Sequence, residues 1–154
     1  MNVTIISGER NSGKTTTLKK LIAKADRRFL GYVSESSADK NVFYLRNVYT
    51  NEIIKVLQTE KCLSNQKVGK YFVRQNAFRE AIQILSNQIE SQRSEDYTLV
   101  LDEVGSLELS GFGFNGILEK VSSLNISLII CVRDTFVEQV CSKYNFKDCE
   151  IIKV

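Results

Sequence analysis

The chain has 154 residues, 43% of them hydrophobic and 25% charged, with a net charge of +3. That length suits one domain, residues 1–154, with a sizeable core, and so small a charge excess gives no ground for a nucleic-acid partner. No apolar run is long enough to span a membrane, and the opening MNVTIISGER lacks the basic start of a signal peptide, so a cytoplasmic protein without a membrane partner is expected.

In chain order, VTIIS (3–7) reads as a buried strand. A helix follows from about Gly13, with Leu18, Leu21, Ile22 and Ala25 repeating on one face. FLGYVS (29–34) reads as a second strand. NVFYLRNVYTNEIIKVLQTEK carries two β-rich runs around Thr50 and Asn51, the pattern of a hairpin over about 41–60. Residues 76–93 show the clearest helical stripe: Phe78, Ala81, Ile82, Leu85 and Ile89. YTLVLDE is an apolar strand ending in two acids. A glycine-bearing loop then leads to a helix with Phe114, Ile117, Leu118 and Val121 on one face. ISLIICV is another buried strand. A last helix carries Val137, Val140, Cys141 and Tyr144, with Thr135 and Glu138 spaced as a capping box. CEIIKV closes the chain as a strand. Apolar strands alternating with amphipathic helices imply an α/β domain of three layers. A mostly parallel five-stranded sheet is flanked by helices on both faces, with the hairpin as a small insertion.

Histidine is absent, which removes Ser–His and Cys–His nucleophile chemistry and leaves proton transfer to carboxylates, Lys, Tyr or Cys. Cys62, Cys131, Cys141 and Cys149 form no Cys-x-x-Cys pair, so reduced thiols are expected, with Cys131 and Cys141 on core faces.

GERNSGKT, from Gly8 to Thr15, fits G-x-x-x-x-G-K-[ST] between a strand and a helix. Gly8 and Gly13 permit backbone angles and approaches that a side chain blocks. The amides of Glu9, Arg10, Asn11, Ser12, Gly13, Lys14, Thr15 and Thr16 can then cradle phosphate oxygens at a helix N-terminus. Lys14 can bridge the terminal phosphates, and Thr15 offers a hydroxyl to magnesium. Lys19, Lys20, Lys24, Arg27 and Arg28 read as a solvated face.

TLVLDEVG places Asp102 and Glu103 at the carboxyl end of a buried strand, the edge where open parallel sheets bind ligands. Asp102 can hold magnesium opposite Thr15. Glu103 alternates to the other side of the strand and can polarise a water for attack on a γ-phosphate. An acid directly after the magnesium acid resembles the P-loop ATPases that carry a catalytic glutamate, in which a further strand separates the phosphate-loop strand from the acidic one. SLIICVRD is the candidate for that strand. Its end carries Arg133, either near the γ-phosphate or in a helix-start ion pair with Asp134.

These segments together resemble the small P-loop nucleoside-triphosphatases of the THEP type. The resemblance is carried by SGERNSGKTTTLKKL, GYVSES, VGKYFVRQNAF and LDEVGSLELSGFGF, over residues 3 to about 131. It implies slow, magnesium-dependent hydrolysis of nucleoside triphosphates with little base selectivity. Gly8, Gly13, Lys14 and Thr15 take the phosphate and metal roles, and Asp102 and Glu103 the metal and water roles. Glu35 and Glu108 match acidic positions without an assigned role. The chain departs from the family in the short SADKNVFYLRN, which lacks the usual Arg and Gly-Phe, and at Ser106, where the family often has proline.

Two other readings stay open. A small kinase needs an acceptor pocket and an Arg-bearing lid, for which Arg74 and Arg79 are candidates. A nucleotide-gated module acting on a protein partner would use the ELSGFGFNG loop, where Phe112 and Phe114 are either a contact surface or anchors to the core.

Overall fold

A computed structural model describes residues 2–92 and 96–154. Strand β1 (Val3–Gly8) leads through the glycine loop into helix α1 (Lys14–Lys24). Then come β2 (Arg28–Ser36), β3 (Val42–Asn47), β4 (Ile53–Gln58), β5 (Lys67–Val68), β6 (Tyr71–Val73), α2 (Gln75–Ser91) and β7 (Tyr97–Val104). A short helix α3 (Ser106–Leu109) precedes α4 (Asn115–Leu124), β8 (Ser127–Arg133), a 3-10 turn (Asp134–Phe136), α5 (Val137–Lys143) and β9 (Glu150–Lys153). Among the described residues, no helix is long and apolar enough to cross a membrane.

Among the described residues all strands join one sheet in the order β5-β6-β4-β3-β2-β7-β8-β1-β9. The five expected strands are its parallel part, β2-β7-β8-β1-β9, and β8 lies between the phosphate-loop strand and the acidic strand. The sheet is nevertheless larger and more mixed than expected. The 41–60 hairpin is no separate appendage: β3 pairs antiparallel with β2, and β4, β6 and β5 extend the same sheet. KVGKYFV (67–73), given no element by the sequence, supplies β5 and β6 around a Gly69-Lys70 turn.

Both faces of the central strands are covered, so they lose alternation and read as continuous apolar runs. In β7 every residue but Glu103 is buried. Tyr97, Leu99 and Leu101 pack with α2, α4 and α5, while Val100 meets Leu18 of α1 on the opposite face. Gly31 in β2 has φ +120°, and a Cβ there would strike the Val100 carbonyl of the neighbouring strand. Only glycine lets β2 approach β7 so closely.

Three local expectations change. The 76–93 stripe becomes helix 75–91, and its last predicted residue, Arg93, lies outside the described residues. GSLELSGFGFNG contains a helical turn, α3. The Thr135/Glu138 capping box does not form, because Thr135 sits inside the 3-10 turn and α5 starts after Phe136 without a side-chain cap.

Candidate active site

The parallel strands bring Gly8, Asp102 and Arg133 to one sheet edge, with Gly8 and Arg133 directly paired. The loop after β1 turns twice through left-handed backbone, at Asn11 (φ 61°) and Gly13 (φ 101°). Helix α1 starts at Gly13 with no side-chain cap and no acid in its first turn. Its free N–H groups and positive dipole end are thus left for an anion. Lys14 is buried, its Nζ donating to the carbonyls of Gly8 at 3.1 Å and Glu9 at 2.5 Å. Arg10 and Asn11 face a neighbouring cavity, and Glu9, Ser12 and Thr16 are exposed.

Asp102 is buried and fully engaged. Its Oδ2 accepts from the Thr15 hydroxyl at 2.7 Å and the Ser34 amide at 3.0 Å, and its Oδ1 from the Glu103 amide at 3.0 Å. Asp102 and Thr15, predicted as partners from loci 87 residues apart, therefore meet directly. Cys131 lies beneath them, fully buried, and burial followed by the Asp102 charge pushes its thiol up.

Glu103 departs from strict alternation. The β7–β8 register shifts between Leu101 and Val104, so two residues of β7 oppose Cys131 alone. This is a β-bulge. Glu103 takes φ 60°, a conformation that costs a non-glycine residue about 1–3 kcal/mol. Instead of crossing to the far face, it lines the same cavity as Asp102, Thr15, Arg10 and Arg133. Water reaches the side chain there, yet protein surrounds it. That crowding, then the Asp102 charge, raises its carboxyl, while Lys14, Arg133 and Arg10 pull it down.

Arg133 is exposed at the cavity, 5.9 Å above the Phe136 ring. Asp134 instead accepts from the Ser7 hydroxyl, and no Arg133–Asp134 ion pair forms among the described residues. Arg74 and Arg79 sit at the start of α2, bonded to the Lys55 carbonyl and Asn76, and neither lines the cavity. Phe114 is a core anchor, stacked on Tyr32 at 5.6 Å, but Phe112 is 52% exposed.

The two unassigned acids have structural partners that the sequence did not reveal. Glu108 is buried and accepts from the amides of Gly105 and Phe114. Glu35 is held by Arg46 through both carboxylate oxygens, at 2.9 and 3.0 Å, and by Lys19 at 3.1 Å. Arg46 first, then Lys19, lowers the Glu35 carboxyl to about 2. A depressed folded-state pKa contributes stability that is present above the usual 4.5 and lost as pH falls through about 2. Glu35→Gln should therefore flatten the fall in urea midpoint between pH 5 and 2 relative to wild type. Parallel acid limbs for the two proteins would refute the clamp.

The cavity holds ≈570 Å³ and runs from the phosphate loop across β2, β3, β4 and the β5–β6 turn. Val68, Lys70 and Tyr71 in its lining fall in VGKYFVRQNAF, a segment that carries the family resemblance, but neither they nor Lys40 has a site role legible from the sequence.

A family model described as NTPase matches residues 3–154. The nucleoside-triphosphatase THEP1 of Aquifex aeolicus is 29% identical over 138 residues, covering 84% of this chain and 78% of that protein. THEP1 of a Thermotoga species is 24% identical over 139 residues, covering 88% and 78%. The crystal structure of THEP1 from Aquifex aeolicus matches with a TM-score of 0.82 at 22% identity, over 98% of this chain and 88% of that one, which establishes the P-loop fold. With the family model spanning nearly every residue, the chain belongs to this NTPase family.

Proposed function

We propose that the chain hydrolyses nucleoside triphosphates, ATP and GTP among them, to diphosphate and phosphate in the presence of magnesium. The observation that carries this reading is one convergence at the sheet edge. An uncapped helix start, a buried lysine, a hydroxyl–carboxylate pair and a water-accessible carboxylate all meet there.

The donor set fits magnesium. The Thr15 hydroxyl and Asp102 carboxylate are hard oxygens already in contact. Among the described residues, no cluster of three or more acidic, Cys or His side chains could cage a metal. Magnesium typically takes one or two protein oxygens and leaves the rest to phosphate and water. Thr15 and Asp102 would hold it, and when bound it would neutralise charge on the phosphate oxygens.

The chain's own groups do the rest. The α1 amides and the loop amides cradle the phosphates. Lys14 exchanges the Gly8 and Glu9 carbonyls for a terminal phosphate oxygen. Glu103 accepts a proton as the water oxygen bonds to the γ-phosphorus and the bond to the β–γ bridging oxygen breaks. A raised carboxyl pKa makes it a stronger base than an ordinary glutamate. Arg133 adds positive charge where it develops on the γ-phosphate.

Phosphate release with ATP, GTP, CTP and UTP in turn, each with magnesium, tests this reading. Absence of release from a chain that binds the nucleotides would refute it. Arg133→Ala should slow release about 10- to 100-fold, less than loss of a fully enclosed donor, because the guanidinium is open to water.

A further inference from the structure

The cavity reaches further than a triphosphate tail requires. A phosphate loop holds its ligand with the terminal phosphate toward the lysine and the metal hydroxyl, here toward Thr15, Asp102 and Glu103. The nucleoside then trails away from these acids. The cavity extends the other way, past Ser34 and over the antiparallel strands. Its ≈570 Å³ falls within the roughly 300–1,000 Å³ of small-molecule sites.

The far wall is apolar and aromatic. Phe43, Leu57, Val68 and Phe78 line it and are only half-buried, because their open sides face the cavity. Phe43 and Tyr71 pair edge to face with centroids 5.0 Å apart. The rim is cationic. The Tyr71 hydroxyl donates to the Lys40 carbonyl at 2.7 Å, which ties the β2–β3 turn to the β5–β6 turn. Lys40 and Lys70 therefore stand at one mouth. Lys70 lies 5.3 Å over the Tyr71 ring, and among the described residues neither lysine pairs with a carboxylate. Of the acids near this lobe, Glu35 is held by Arg46 and Lys19, Glu108 by backbone amides and Asp39 by Ser37 and Asn41, while Asp102 and Glu103 stand at the phosphate-loop end of the cavity.

We propose that this outer lobe is a second ligand site, separate from that of the triphosphate, for a small flat aromatic molecule carrying an anionic group. The inference rests on the hydrolase reading, which fixes the direction of the triphosphate. Aromatic edges and faces receive the ring, and the two rim ammoniums receive the anion.

Anilinonaphthalene sulfonate, an aromatic anion that fluoresces on leaving water, is a direct probe. Titrated into the folded chain, it should bind at one site, and saturation with a non-hydrolysable β,γ-imido triphosphate and magnesium should not displace it. The double variant Lys40→Glu, Lys70→Glu changes only exposed turn residues and should weaken the dye at least about tenfold. Val68→Trp should fill the lobe and abolish binding. Thermal melts would confirm that both variants fold. Displacement of the dye by the triphosphate would assign the lobe to the nucleoside and overturn the proposal, as would dye binding that ignores every variant. Triphosphate binding, followed separately by calorimetry, isolates the other failure. A chain that takes the dye but no triphosphate would sink the hydrolase reading and leave the dye site standing.

Discussion

Glu103→Gln is expected to abolish phosphate release while leaving the triphosphate bound. The amide has the shape of the carboxylate and can still hydrogen-bond a water, but it accepts no proton. The loss should reach about 10²–10⁴-fold, the usual worth of a positioned base. Affinity should change little, because phosphate contacts come from the loop and α1. Lys14→Ala fails differently. It removes a charge-assisted donor worth about 1.5–3 kcal/mol, so binding itself should weaken roughly 10- to 100-fold and release should fall with it. Single-turnover release and binding of a fluorescent triphosphate separate the two. A Glu103→Gln chain that turns over at the wild-type rate would end the assignment of Glu103 as base. The pH profile gives a second check. A base must be ionised, and burial with the Asp102 charge raises this carboxyl above its usual 4.5. Release should therefore fall on the acid side at a pH above 4.5, and Glu103→Gln should lose that limb.

Much of this site was legible because its signals are local. The phosphate loop needs two glycines, Lys14 and Thr15 in fixed spacing, and a strand must precede it and a helix follow. Asp102 could be paired with Thr15 at a distance of 87 residues only because strand ends in a parallel sheet share one edge. The bulge at Asp102–Glu103 was not legible. Alternation predicts the opposite face for Glu103, and no residue there announces a left-handed backbone as glycine or asparagine would. The extent of the sheet was missed for a related reason. β5 has two residues and β6 three, too short for any periodicity, and they exist because β4 offers them an edge. The partners of Glu35 and Glu108 were likewise set by tertiary register. Arg46 reaches Glu35 because β3 returns antiparallel beside β2, with Val33 opposite Arg46 and Glu35 opposite Tyr44.

Glu108 should prove the most damaging position for stability outside the apolar core. Its carboxylate is 4% exposed and closes the segment between β7 and α4 on itself, accepting from Gly105 N at 3.0 Å and Phe114 N at 3.3 Å. Its carbonyl receives Lys143 Nζ at 2.7 Å and Tyr144 Oη at 3.1 Å, which docks α5 on the same turn. Glu108→Ala strands two buried N–H groups, each costing about 1–3 kcal/mol, and opens a cavity beside them. A loss of about 3–5 kcal/mol is expected, near 8–15 °C in Tm for a chain of this size. Glu108→Gln keeps one acceptor oxygen and should cost about half as much. The sign of the pH dependence follows from the carboxyl itself. Burial first raises it, while the Gly105 and Phe114 amides and Lys143 oppose the rise. A raised folded-state pKa gives stability that is complete below 4.5 and lost as pH rises through the higher folded value. The gap in Tm between wild type and Glu108→Gln should therefore widen as pH falls from 7 toward 5, since only the glutamate gains from protonation. An unaltered Tm in Glu108→Ala would show that the loop holds without its staple. The expected loss reaches function as well. Phe114 packs on Tyr32 and Phe78 and walls the cavity, and Gly105 follows the Glu103 bulge by two residues. Loosening this turn removes the support that keeps a strained Glu103 in the cavity lining, so turnover in Glu108→Ala should fall even at temperatures where the chain remains folded.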